Sequence, residues 1–196
     1  MAVGLVALAA GVAVGLLLAG SLVRADHPVE GSADVGFARD MQTHHAQAVE
    51  MAVLVRDRSD DDELRQVALD IELTQQNQIG QMHGWLSVWG LPLAGTAEPM
   101  AWMADHGHGA GADDGEVTRM PGLATEEQMA ALADAEGVEA ERLFLELMIP
   151  HHRGGVDMAR AALDRAEQPE VRRLAQAMVD AQTAEIVVLE ALLAAR

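Results

Sequence analysis

The strongest constraint on this chain is an internal repeat. Phe37, Met41, His44, His45, Val49, Glu50, Met51 and Ala52 recur in the same order and spacing as Phe144, Met148, His151, His152, Val156, Asp157, Met158 and Ala159, at an offset of about 107 residues. The register continues without a gap. Glu63, Leu64, Arg65, Val67, Ala68, Ile71, Gln75, Gln78, Ile79, Met82 and Leu86 pair with Glu170, Val171, Arg172, Leu174, Ala175, Met178, Gln182, Glu185, Ile186, Leu189 and Leu193. Apolar members of these stretches fall at spacings of three and four, the stripe of an amphipathic helix. Between the two stretches of each copy, Arg58-Ser59-Asp60-Asp61-Asp62 and Glu167-Gln168-Pro169 break the period and supply the chemistry of a helix start. Each copy therefore reads as a helical hairpin. Two hairpins with one apolar stripe each predict an all-α four-helix bundle, with repeat one at 34–90, a crossover at 91–136 and repeat two at 137–196.

Composition agrees with helices. Tyr is absent and only 2 Phe and 3 Trp occur, while Ala, Leu, Met and Glu are plentiful. Cysteine is also absent, which excludes disulfides, thiolate metal sites and thiol catalysis, so any soft ligand must come from the 11 Met and any borderline one from the 8 His. The net charge of -18, with Arg as the sole cationic side chain besides His, repels phosphate backbones and argues against nucleic-acid partners. The same field concentrates cations, which is compatible with a metal-handling role.

Ala2 to Val23 carries no charge and is long enough to cross a bilayer as a helix. A cleavable signal peptide has a shorter apolar region, about 7 to 15 residues, and a basic start that is missing here. Residues 1–25 are therefore expected to be an uncleaved single-pass anchor, with residues 26–196 as the folded domain. The alternative is cleavage after Val23-Arg24-Ala25, giving a secreted or periplasmic protein. Arg24 alone says little about orientation.

In the crossover, Gly90-Leu91-Pro92 ends the first hairpin, and Met100 to Gly115 has no sustained period, as expected of a loop. Thr125-Glu126-Glu127-Gln128 then opens a short helix through about Ala135. Thr125 is its N-cap, Gln128 occupies the capping-box position, and the helix should cover one end of the bundle.

On a helix, Met41, His44, His45, Ala48, Met51 and Ala52 share one face, as do Met148, His151, His152, Gly155, Met158 and Ala159. If the hairpins pack about a pseudo-twofold axis, the two His pairs face each other, and Ala48 and Gly155 leave room for imidazoles or close helix approach. A buried imidazole left without a partner costs about 1 to 3 kcal/mol, so these side chains need hydrogen bonds or a metal. Gln75, Gln78, Gln182 and Glu185 interrupt the apolar stripes of the second helices and are expected to orient the imidazoles. Di-iron and di-manganese bundles use Glu-x-x-His, but here Met41 and Met148 stand three residues before His44 and His151. With Met51 and Met158 nearby, this donor set favours copper, as Cu(I) or Cu(II), or silver. Glu50 and Asp157 leave a mixed site open. The bland reading is a buried polar cluster that binds nothing.

Met100, Met103, His106 and His108 form a second candidate, a short Met/His tract in the crossover, or simply a loop that happens to contain these residues. Pro150, where the first copy has Thr43, either bends its helix and aims the second His pair or marks a helix start.

Three stretches carry a family resemblance. They are Phe37-x3-Met41-x2-His44-His45 with Met51-Ala52, then Met120-Pro121-Gly122 leading into Thr125-Glu126-Glu127, and Phe144-x3-Met148-Ile149-x-His151-His152-x-Gly154 with Met158-Ala159. From about residue 34 to the end, the chain resembles the bacterial domain-of-unknown-function 305 family, which is ferritin-like and includes a periplasmic copper-binding protein. The resemblance implies an exported or membrane-tethered four-helix domain, and a metal role for Met41, His44, His45, Met148, His151 and His152.

The resulting expectation is an extracytoplasmic copper or silver binder for sequestration, buffering or delivery, and not an enzyme. Its partners would be the metal ion and the membrane, through the leader. The alternative is a non-catalytic interaction or assembly subunit of a membrane complex, or a homo-oligomer, with structural His pairs and a leader that packs through Gly4, Gly11, Gly15 and Gly20. A metal oxidase ranks last, because di-iron carboxylates and a nucleophile or cofactor motif are missing.

Overall fold

The computed structural model describes residues 27–104 and 120–196. Within them the chain forms five α-helices, α1 (Ala33–Arg58), α2 (Asp62–Val88), α3 (Glu126–Asp134), α4 (Gly137–Arg165) and α5 (Pro169–Ala194), and one 3-10 turn at Ala101–Met103. The helix starts follow local chemistry. The Ser32 hydroxyl accepts from the Val35 N–H, Asp61 accepts from Leu64 N–H at 3.0 Å, Thr125 and Gln128 form the expected reciprocal box, and Pro169 opens α5. Pro150 lies inside the continuous α4, so it does not mark a helix start.

Helices α1 and α2 form one hairpin and α4 and α5 the other, and the hairpins meet chiefly through α1 and α4. These two helices run antiparallel. At one end, Asp34 near the start of α1 accepts the N–H groups of Glu167 (3.1 Å) and Gln168 (2.9 Å) in the α4–α5 turn. At the other, Ser59 in the α1–α2 turn donates its hydroxyl to Glu141 near the start of α4 at 2.7 Å. Asp34 and Glu141 are equivalent positions of the repeat, as a pseudo-twofold axis requires.

The same axis organises the core. One apolar cluster joins Phe37, Met41, Met82 and Leu86 to Met158, Val171 and Met178. The other joins Met51, Val55, Leu64 and Ile71 to Phe144, Met148 and Leu189. Each cluster thus combines the first half of one repeat's leading helix with the second half of the other's.

The crossover breaks the symmetry. Its described first part is a loop with one 3-10 turn, and side chains of α1 hold it. Asp40 Oδ2 accepts both the Met100 N–H and the Trp102 indole N–H at 2.8 Å each, and Trp102 meets Phe37 edge-on at 5.9 Å. Gly36 makes this possible, since a Cβ there would overlap the indole. Met100 takes a left-handed backbone conformation, φ 65°, which is uncommon for a residue with a side chain. Farther along, α3 lies against α1 and α4, with Leu132 buried in the second apolar cluster. Among the described residues no helix is long and apolar enough to cross a membrane, and the anchor expected at residues 1–25 lies outside them.

Candidate metal site

Between the two apolar clusters lies a polar layer built from the repeated histidines. Their positions on the inner faces of α1 and α4 bury them almost completely: His44, His45 and His152 are 0% exposed and His151 1%. His44 and His151 sit against each other with ring centroids 3.8 Å apart, and His45 and His152 flank them at 6.3 Å from their chain neighbours. The two pairs therefore converge, as the repeat predicts.

Every Nε2 meets an oxygen. His45 donates to Gln78 Oε1 at 2.7 Å and His152 to Glu185 Oε2 at 2.8 Å, the same interaction made once in each repeat. His151 donates to the backbone carbonyl of His44 at 2.9 Å, and His44 to that of Pro121 at 3.0 Å. Burial lowers the His44 pKa to about 4 and, together with the neighbouring His44 imidazole, that of His45 to about 3; it also holds His151 well below the ordinary value. These three rings are neutral near pH 7. With the proton on Nε2, the lone pair falls on Nδ1. The Nδ1 atoms of His44, His45 and His152 are buried without a hydrogen-bond partner.

Of the four residues expected to orient imidazoles, Gln78 and Glu185 each accept a hydrogen bond from a ring. Gln75 and Gln182, one helical turn earlier, make no hydrogen bond to a ring, and both Gln75 amide atoms and Gln182 Oε1 are buried and unpartnered. Gly155 makes room for the Gln182 amide of α5, which a Cβ would overlap. Met41 and Met158 lie in the apolar cluster on one side of the layer and Met51 and Met148 in the cluster on the other, all 0% exposed. Glu50 and Asp157 are exposed on the opposite faces of their helices, so the carboxylate that reaches the layer is Glu185. Met100 is buried in the first cluster and Met103 packs half-buried beside it, while His106 and His108 lie outside the described residues.

Among the described residues no three His, Asp or Glu side chains stand together as a metal cage. Neutral imidazole nitrogens bounded by thioether sulfur fit a soft ion such as Cu(I) or Ag(I).

Sequence reasoning missed the partner of His44. Met120-Pro121-Gly122-Leu123 forms a turn in which the Leu123 N–H approaches the Met120 carbonyl at 3.4 Å and Gly122 takes φ 76°, the pattern that favours Pro followed by Gly. The signal was present in the Met120-Pro121-Gly122 run, but a backbone acceptor has no side chain to flag it.

Two fused hairpins closing over a buried layer of imidazoles define a duplicated helical protein with a His/Met interior. The chain belongs to the DUF305 family, described as a domain of unknown function, whose profile it matches over residues 34–193. Among functionally curated proteins none matches it. A DUF305 protein from Streptomyces coelicolor, taken to be secreted, is 47% identical with a TM-score of 0.75, over 83% of this chain and 93% of that one. A DUF305 fragment from Deinococcus radiodurans is 36% identical with a TM-score of 0.70, over 86% and 100%. CopM in its Cu(II)-bound form is 27% identical with a TM-score of 0.61, over 84% and 97%, and CopM has also been solved with Cu(I).

Proposed function

We propose that this chain is an extracytoplasmic binder of copper or silver ions that sequesters, buffers or hands on the metal as cargo. The observation that carries this reading is the set of buried, unpartnered Nδ1 atoms of His44, His45 and His152, in a layer bounded by Met41, Met148, Met51 and Met158. A buried ring nitrogen without a partner calls for an explanation, and a soft cation supplies one. The copper-bound structures of CopM support the choice of metal, and the secreted Streptomyces coelicolor relative supports the compartment. In this reading residues 1–25 anchor or export a ferritin-like domain made of the two repeats, and the acidic surface draws cations toward it.

Among the described residues no three His, Asp or Glu groups form a metal cluster, and this favours a second reading, in which the His pairs are structural and the protein is a non-catalytic assembly subunit of a membrane complex. Elemental analysis of natively purified protein, with Ag(I) titration, separates the two. The metal reading expects stoichiometric uptake that is lost when His44, His45, His151 and His152 are all replaced by Ala and weakened by Met41→Leu with Met148→Leu. Circular dichroism checks that the variants keep their helices. Metal-free protein with no Ag(I) uptake overturns the reading.

A further inference from the structure

The repeat positions that follow the His pairs have diverged, and both of them grip the crossover. Gln47 is half-buried on α1; its Oε1 accepts the Ala124 N–H at 2.7 Å and its Nε2 donates to the Ala124 carbonyl at 3.1 Å, so one amide satisfies both backbone groups of one crossover residue. Its equivalent on α4 is Gly154, where a Cβ would overlap the carbonyl of Pro121. Gly122 presses on α4 in the same way, since a Cβ there would meet the Pro150 carbonyl. The segment 120–124 is thus seated against α4 and clasped to α1.

This grip fixes the position of one atom that matters to the site. The Pro121 carbonyl accepts from His44 Nε2, whereas His45, His151 and His152 take their acceptors from α2, α1 and α5. Three imidazoles are therefore oriented by the bundle itself and His44 by the crossover.

We propose that Gln47 is a positioning residue for His44: by clasping Ala124 it holds the Pro121 carbonyl against Nε2, which keeps the proton there and leaves the Nδ1 lone pair free for a ligand. Gly154 is the complementary seat. The repeat needs both because a symmetric pair of side chains at these positions could not hold a single strap. The ligand part of this inference rests on the metal reading above, but the tautomer part does not.

The test uses the full-length chain with 15N-labelled histidine, metal-free at pH 7, and long-range proton–nitrogen correlation to locate each ring proton. In the native protein His44 should carry its proton on Nε2. In Gln47→Leu, His44 should show averaged nitrogen shifts while His45 and His152 keep theirs. Gln47→Glu keeps an acceptor for the Ala124 N–H and should restore part of the single-tautomer signature. Ag(I) affinity of Gln47→Leu should fall about tenfold, the usual scale for losing a group that orients a ligand. A native His44 protonated on Nδ1, or a His44 signature unmoved in Gln47→Leu, overturns the proposal, and the first of these readings does not depend on any variant folding. Native protein with the stated tautomer that binds no Ag(I) upholds the positioning of His44 and sinks the metal reading alone.

Discussion

His44 and His151 occupy equivalent positions of the repeat and lie with ring centroids 3.8 Å apart and planes tilted by 36°, yet His151 donates to the backbone carbonyl of His44 while His44 donates to Pro121. The symmetric sequence thus produces an asymmetric pair. Because both rings are neutral and buried, protonating either one places a charge in a layer shut off from solvent.

Stability should therefore fall on acidification. The folded-state pKa values of His44, about 4, and His45, about 3, lie below the unfolded value near 6.5, and His151 is shifted the same way. Between these limits the unfolded chain binds more protons, so stability rises with pH through that window and is lost as pH drops from 7 to 5, on the order of 1 to 2 kcal/mol per imidazole. Urea midpoints of metal-free protein at the two pH values measure this. Asp40, whose carboxyl burial pushes upward, works in the opposite sense.

Replacing Asp40 by Ala strands two buried donors, the Met100 N–H and the Trp102 indole, and releases the crossover from α1. A loss of about 2 to 4 kcal/mol is expected, with a red-shifted tryptophan emission. Asp40→Asn keeps one acceptor oxygen and should lose less than Ala. Equal effects of the two substitutions would mean that the hydrogen bonds do not hold this segment.

Glycines divide by what surrounds them. Gly84 has open space where a Cβ would go and lies exposed on α2, so Gly84→Ala should stabilise the protein by about 0.5 to 1 kcal/mol. Gly36→Ala drives a methyl into the Trp102 indole and should cost about 1 to 3 kcal/mol. Thermal unfolding of the two variants side by side would contradict the packing described for Trp102 if their signs agreed.

Arg196, just past the end of α5, bridges the α1–α2 turn and the start of α4. Its side chain is 8% exposed and pairs with Glu141 at 2.8 Å and Asp61 at 2.7 Å. Arg196→Ala leaves the buried Glu141 carboxylate with only the Ser59 hydroxyl, and a loss of about 3 kcal/mol is expected from chemical denaturation. Adding Glu141→Gln should recover part of it, because the stranded charge is then gone. A double variant no better than the single one would place the loss elsewhere.

Much of this was readable from residues alone because the repeat is an apolar period written twice. The hairpins, their turns, the Thr125 capping box and the convergence of the four histidines all depend on side-chain identity at helical spacing, which a sequence displays. What stayed hidden depends on elements without a period. Asp40 reads as an ordinary charged helix residue until Trp102 reaches it, and the Pro121 carbonyl is common to every peptide unit. Gln75 and Gln182 show the converse limit, since their spacing marks them as inward-facing while only coordinates reveal that they miss the rings.

The paired ties of Asp34 to the α4–α5 turn and of Glu141 to Ser59 carry a mechanical implication. Each hairpin keeps its bend closed with a carboxylate belonging to the other, so neither half has an exit of its own. Opening one must loosen the other, and amides in α1 and α4 should exchange with solvent together, in one concerted event.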